Sequence, residues 1–299
     1  MSFVTHHPLT ADDARVTAAL RAATAANKGK LRGVAARPIF DTIIGQTIDA
    51  PGVTYRPDSV GGVPGWWCTP PNQHPRSVVL HIHGGWFHWG TALAFRALVG
   101  HIALRAGTLA FVPDYRLAPE HPFPAGLEDA KACFDGLRAQ GFERIALCGD
   151  SAGGNLALVL SGLVEAVATA ALAPVTDLSL SGESWTSRAE ADFYFTRPQA
   201  EEMARGYLGG QDPLNPRISP LFGDLSGLPP VRIHVGDQEM LLDDSRRYVE
   251  RAVAAGVDAE VAIWEGMPHG FAGAVGTLEA AGGALDAIGA FLAGHLASA

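Results

Sequence analysis

Basic residues are scarce. Lys and Arg together number 22 against 31 Asp and Glu, a formal net charge of −9 over 299 residues. A chain that bound nucleic acid or an anionic membrane surface would need clustered cations. None occurs, so neither is expected as a partner. Cysteine is scarcer still: Cys68, Cys133 and Cys148, an odd number with no C-x-x-C spacing. Cys133 and Cys148 stand in apolar runs, which predicts buried free thiols in a reducing compartment and not a disulfide framework. Long apolar stretches are also missing. No uninterrupted run reaches the roughly 18 residues of a membrane span, and residues 1–10 lack the basic start and apolar core of a secretion signal. Together these absences lead to a cytoplasmic expectation.

What is present is a chain 47% hydrophobic and 18% charged, with 35 Gly and 20 Pro. That composition suits one turn-rich globular domain over residues 1–299. Short apolar runs at 78–83, 109–113, 145–148, 169–173, 231–235 and 261–264 alternate with helical stretches at 93–105, 125–140, 156–164 and 243–255. Alternation of this kind predicts an α/β fold, a mostly parallel sheet with helices on both faces. A strand pair at 53–56 and 66–69 precedes it, joined by Gly61-Gly62-Val63-Pro64. An alanine-rich helix capped by Thr10 opens the chain, 37–50 reads as irregular, and a helix at 278–296 closes it. One segment, 178–227, breaks the alternation. It carries Trp185, Phe193, Tyr194, Phe195, Tyr207 and Phe222, and a capping box is expected at Thr196-Arg197-Pro198-Gln199. With residues 1–45 it reads as a helical cap over the sheet's C-terminal edge.

The chemistry centres on Cys148-Gly149-Asp150-Ser151-Ala152-Gly153-Gly154-Asn155, between a strand and a helix. A Gly-x-Ser-x-Gly pentapeptide in that context places a serine hydroxyl on a tight turn above the sheet, at a helix N-terminus suited to an oxyanion. Small residues must flank it, because backbones pass closely there. A nucleophilic serine needs a base, and the base needs an acid to orient it. Among the later histidines, His234 lies inside a strand and reads as packed. His295 lies on an Ala/Gly-rich helix and reads as solvated. His269 follows the last strand in Gly266-Met267-Pro268-His269-Gly270-Phe271 and is the expected base. The acid belongs on the loop after 231–235, where position leaves Asp237 and Glu239 both open. Backbone N–H donors are expected from Ala152 and from the loop His83-Gly84-Gly85-Trp86. His81, His83 and His88 have no carboxylate or cysteine at ligand spacing, so no metal is expected.

The chain resembles the bacterial hormone-sensitive-lipase-like esterases of the α/β-hydrolase superfamily. The matching pieces are His83-Gly84-Gly85, Asp114 to Glu120 with His121-Pro122-Phe123-Pro124-Ala125, Gly149 to Gly154, Ser219-Pro220-Leu221-Phe222 with Leu228-Pro229-Pro230, and His269-Gly270-Phe271. They occur in the family's order. The resemblance implies an eight-stranded sheet, a helical cap and ester hydrolysis without a cofactor. It aligns Gly236-x-x-Glu239-Met240-Leu241-x-Asp243 with the family's acid motif, which puts the acid at Glu239 with Asp237 second. It puts the oxyanion hole at Gly84, Gly85, Trp86 and Ala152.

Trp86 stands where the family usually has a third glycine, and a tryptophan is not expected to take the positive φ open to glycine. Trp86, Phe87, Trp89, Phe193 and Phe195 are the expected substrate contacts, and their bulk predicts short acyl groups. The small-molecule ester has two rivals: an arylformamide or other amide cleaved by the same triad, and a ligand held without turnover. The strand at 261–264, taken as a sheet edge, offers a surface for a homodimer.

Overall fold

Near-continuous apolar runs need cover on both faces, and each of them becomes a buried strand. The computed structural model describes residues 3–297. Its first half comprises β1 (Val4–His7), α1 (Ala11–Thr24), α2 (Arg37–Ile44), β2 (Thr54–Val60), β3 (Val63–Thr69), β4 (Ser77–Ile82), α3 (Ala92–Ala106), β5 (Leu109–Pro113) and α4 (Ala125–Ala139). There follow β6 (Arg144–Asp150), α5 (Ser151–Ser161), β7 (Thr169–Leu172), α6 (Ser184–Ser187), α7 (Arg197–Leu208), β8 (Val231–Gly236), α8 (Leu242–Ala254), β9 (Ala259–Trp264) and α9 (Glu279–Leu296). Residues 1, 2, 298 and 299, included in the expected domain and cap boundaries, lie outside the described residues.

The strands form one sheet in the order β1-β9-β8-β7-β6-β4-β5-β3-β2. Only β2 with β3 and β3 with β5 run antiparallel. Alternate side chains serve opposite layers. Val79, Ala110 and Ala146 pack with α3 and α9, while Val78, Leu80, Phe111 and Leu147 pack with α4 and α5. The three cysteines are free and buried. Among the described residues no helix is long and apolar enough to cross a membrane.

Four expectations are corrected. The sheet has nine strands among the described residues, not eight. β1 adds in parallel to β9, with Val4 opposite Val261 and His7 opposite Trp264, so β9 is not an edge and the ladder offered to a second subunit is already filled. Four residues, two of them histidine, are too short and polar a run to announce a strand. Residues 37–44 are helical, not irregular, with Pro38 in the first turn, where its missing N–H costs nothing. Thr196 makes no capping bond to α7; Gln199 instead donates to Leu31 O at 2.6 Å. Helix α5 begins at Ser151 itself, which puts the serine at a helix N-terminus as expected.

The alanine-rich α1 is held by polar contacts more than by packing. Thr10 caps it, as expected. Buried Asp13 leaves its own helix's dipole aside and accepts from Glu279 N at 2.8 Å and Ala280 N at 3.0 Å. It thereby caps α9, whose first N–H groups have no intrahelical acceptor.

Candidate active site

β6 passes into α5 without an intervening residue, so the turn between them is the serine itself. Ser151 has φ +53°, a conformation that costs a non-glycine residue about 1–3 kcal/mol and persists only where its surroundings over-determine it. The surroundings are close backbones. A Cβ on Gly153 would stand 2.0 Å from Ile82 O, and one on Gly149 would stand 2.4 Å from Gly153 O. The second glycine is therefore required by the end of neighbouring β4 as well as by the turn. Asp150 ties the same two strands together, accepting from Gly84 N at 3.1 Å and meeting His81 Nε2 at 3.1 Å.

His269 reaches this turn from the loop after β9. Its Nδ1 lies 2.6 Å from Glu239 Oε2, and Glu239 is wholly buried, its other oxygen accepting from Gly236 N at 2.9 Å. Asp237 points elsewhere: its Oδ1 accepts from Gly266 N at 2.7 Å and Gln238 Nε2 at 2.9 Å. Of the two carboxylates left open by position, Glu239 is the one that meets the imidazole. Burial pulls the His269 pKa down, but the adjacent Glu239 carboxylate outweighs it and the net shift is upward. Burial also raises the Glu239 carboxyl, with His269 opposing. Ser151 and His269 line one small cavity of about 60 Å³ together with Phe95, Leu172, His234 and Phe271. Among the described residues no hydrogen bond joins the Ser151 hydroxyl to His269.

The loop after β4 carries the other donors. Gly84 N–H is engaged by Asp150, so it is not available to an oxyanion. The N–H groups of Gly85 and Trp86 find no acceptor among the described residues. Ala152, second in α5, is among the helix-start donors that lack an intrahelical partner. Trp86 does adopt positive φ, +54°, and Phe87 follows at +63°, against the expectation for a residue with a Cβ. Neighbours hold the loop there. His88 Nδ1 meets Trp86 O at 2.7 Å, Trp89 Nε1 donates to Gly33 O at 2.8 Å, and Arg37 Nε donates to His88 O at 2.8 Å.

The five aromatic residues expected at the substrate are absent from the walls of this cavity. Phe87 stacks on Tyr207 at 3.7 Å. Trp89 is wholly buried, Trp86 packs near Trp185, and Phe193 lies under Arg21. Only Phe195 approaches the chemistry, its ring edge-on to His269 at 5.6 Å between centroids. Large side chains next to a motif belong to the core more often than to a ligand, and here Phe87 and Trp89 are core.

Sequence reading also missed Asp192. It accepts from Phe195 N at 2.8 Å and Met240 N at 3.1 Å, which fastens the aromatic segment to the Glu239 loop. An Asx-type turn two residues before Tyr194 was the available signal. His234 is buried, as read. His295 is half-buried, edge-on to Phe291. No group of three or more His, Cys, Asp or Glu among the described residues is arranged to hold a metal ion.

Comparison with known proteins identifies the fold family and named relatives. A profile of the alpha/beta hydrolase fold family matches residues 79–273. An acetyl-hydrolase of Streptomyces hygroscopicus is 37% identical over 219 residues, 71% of this chain and 73% of that protein. An esterase of Acinetobacter venetianus is 34% identical over 252 residues, 79% and 81% of the two chains. Among solved structures, an esterase from the bacterial hormone-sensitive lipase family superposes with a TM-score of 0.89 at 36% identity, covering 97% of this chain and 100% of that one.

Proposed function

The chain belongs to the bacterial hormone-sensitive-lipase-like esterases of the α/β-hydrolase fold, and we propose that it hydrolyses short-chain carboxylic esters through Ser151, His269 and Glu239. It is an enzyme of the carboxylesterase class; the relatives described above are named as an acetyl-hydrolase and esterases. The Ser151 hydroxyl attacks the acyl carbonyl as His269 Nε2 takes its proton. Glu239 accepts from His269 Nδ1–H, which fixes the tautomer whose Nε2 is free and stabilises the imidazolium that forms. The developing oxyanion takes the N–H groups of Gly85, Trp86 and Ala152, each worth about 3–4 kcal/mol in measured cases. Collapse expels the alcohol, which receives the proton from His269. Water, deprotonated by the same imidazole, then releases the acid. The missing Ser151–His269 hydrogen bond forms as substrate enters, since such bonds are commonly long before binding.

One observation supports this most: a buried carboxylate, 2.6 Å from an imidazole, facing the cavity that a strained serine also lines. The test is covalent. A fluorophosphonate probe is expected to label Ser151 alone, read by peptide mass spectrometry. A label on another residue, or none, ends the triad reading.

The N-terminal segment and 178–227 are read as the cap. Lys28 Nζ donates to Ala189 O at 2.6 Å and Gly29 N to Tyr194 O at 2.8 Å, so the two pieces support each other, and Phe195 brings them against His269. A small cavity behind such a cover limits acyl length. Each methylene adds about 0.8 kcal/mol only while it finds room. The specificity constant for p-nitrophenyl esters is therefore expected to fall well before about eight acyl carbons. A steady rise through octanoate and decanoate would refute the short-chain reading.

A further inference from the structure

The cavity beside Ser151 is mostly apolar, and His234 of β8 contributes one of its few polar side chains. The side chain is 5% exposed. It shares the cavity wall with Ser151 and His269, yet the proposed reaction gives it no role. Its protonation is fixed by a neighbour. Trp264 Nε1 donates to His234 Nδ1 at 3.1 Å, and an indole nitrogen can only donate. Nδ1 is therefore the acceptor, and the proton of the neutral ring sits on Nε2. Burial, with His7 and Arg232 adding to it, pushes the imidazole pKa down to about 3, so the ring is neutral at any working pH. The indole cannot swing away, because His7 of β1 stacks on it at 3.8 Å with the rings 6° from parallel. Nε2–H has no acceptor among the described residues. That donor is free to meet an oxygen placed in the cavity.

We propose that His234 Nε2–H donates a hydrogen bond to the part of the substrate that fills this cavity, selecting esters that carry an oxygen acceptor there over their hydrocarbon isosteres. The acceptor is an ether, keto or hydroxyl oxygen. His234 acts as a specificity residue and takes no part in proton transfer. The proposal rests on the reading that Ser151 is the nucleophile and this cavity receives substrate.

Two isosteric pairs test it. On the acyl side, p-nitrophenyl methoxyacetate is compared with p-nitrophenyl butyrate. On the alcohol side, 2-methoxyethyl acetate is compared with butyl acetate. Each kcat/KM is divided by the ester's hydroxide hydrolysis rate. In one pair the wild type is expected to favour the ether roughly ten-fold, the scale of one neutral hydrogen bond. His234→Leu is expected to erase that ratio. His234→Gln, able to accept from Trp264 through its carbonyl and offer its amide to the cavity, is expected to restore most of it. If the leucine variant does not fold by circular dichroism, His234→Met, also apolar, replaces it.

No preference in either pair in the wild type overturns the proposal, as does a preference that survives in the apolar variant. Loss without recovery in His234→Gln assigns the effect to shape and also overturns it. In each of these cases turnover of the plain esters leaves the nucleophile reading intact. Absence of all turnover, with no probe label at Ser151, brings down that reading and this one together.

Discussion

Ser151→Ala is expected to lower kcat for p-nitrophenyl butyrate by at least about 10⁴-fold, the scale seen when the nucleophile of a serine triad is removed. The loss is chemical because nothing structural depends on the hydroxyl. Among the described residues Ser151 Oγ has no hydrogen-bond partner. Alanine keeps the same Cβ at the same φ of +53° between the same glycines. The thermal midpoint should therefore barely move, as for a change that creates no cavity and strands no polar group. The two measurements together discriminate: turnover unchanged with an unchanged melt would remove Ser151 from the mechanism. Some hydrolysis above background should persist, because the free N–H groups of Gly85, Trp86 and Ala152 remain to polarise the carbonyl.

Glu239→Gln is expected to reduce kcat by about 10³- to 10⁴-fold, and Asp237→Asn by less than about ten-fold. The asymmetry follows from which atoms meet. In the Gln variant one terminal group must still accept from Gly236 N–H, which leaves the amide NH₂ facing His269 Nδ1. That NH₂ can only donate, so Nδ1 must accept and the ring proton moves to Nε2, where it blocks uptake of the serine proton. Asp237 accepts from Gly266 N–H, and an asparagine carbonyl can do the same.

The pH profile provides a second readout. Wild-type His269 must be neutral to act as base, and its pKa is raised above the ordinary 6.5 by Glu239 despite burial. The acid limb of kcat/KM should therefore lie above pH 6.5, with activity lost as pH falls through it. In Glu239→Gln the stabilising charge is gone and burial remains, so the limb should move to lower pH while the plateau drops. A limb that stays in place would mean the carboxylate does not set the imidazole's proton affinity.

The parts of this fold legible in the sequence were those with strong local signals. Apolar runs too continuous for a half-exposed strand announced β4 to β9. Gly149 and Gly153 announced a turn where backbones touch. What stayed hidden depends on distant partners. β1 is a strand only because β9 lies beside it. Gln199 looks like a capping residue until Leu31 O competes for its amide. Asp13 looks like a charge on its own helix until α9 arrives.

The site divided in the same way. Position alone left Asp237 and Glu239 equal, and only the family pattern preferred the latter. The aromatic residues failed as pocket predictors because a loop with two consecutive left-handed residues turns Phe87 toward Tyr207 and Trp86 toward Trp185. No one-dimensional rule anticipates that turn, since it opposes the intrinsic preference of both residues.

The pairing of Val4 with Val261 also bears on the order of assembly. β1 is made long before β9, the strand it pairs with among the described residues, so it cannot enter the sheet until the residues between them are made. Closing so long a loop is entropically slow, and the stack of His7 on Trp264 must come after it. The Ser151 turn at the β6–α5 junction can form from neighbouring segments much sooner. Nascent chains should thus form the serine turn before the indole of Trp264 is in place to orient His234.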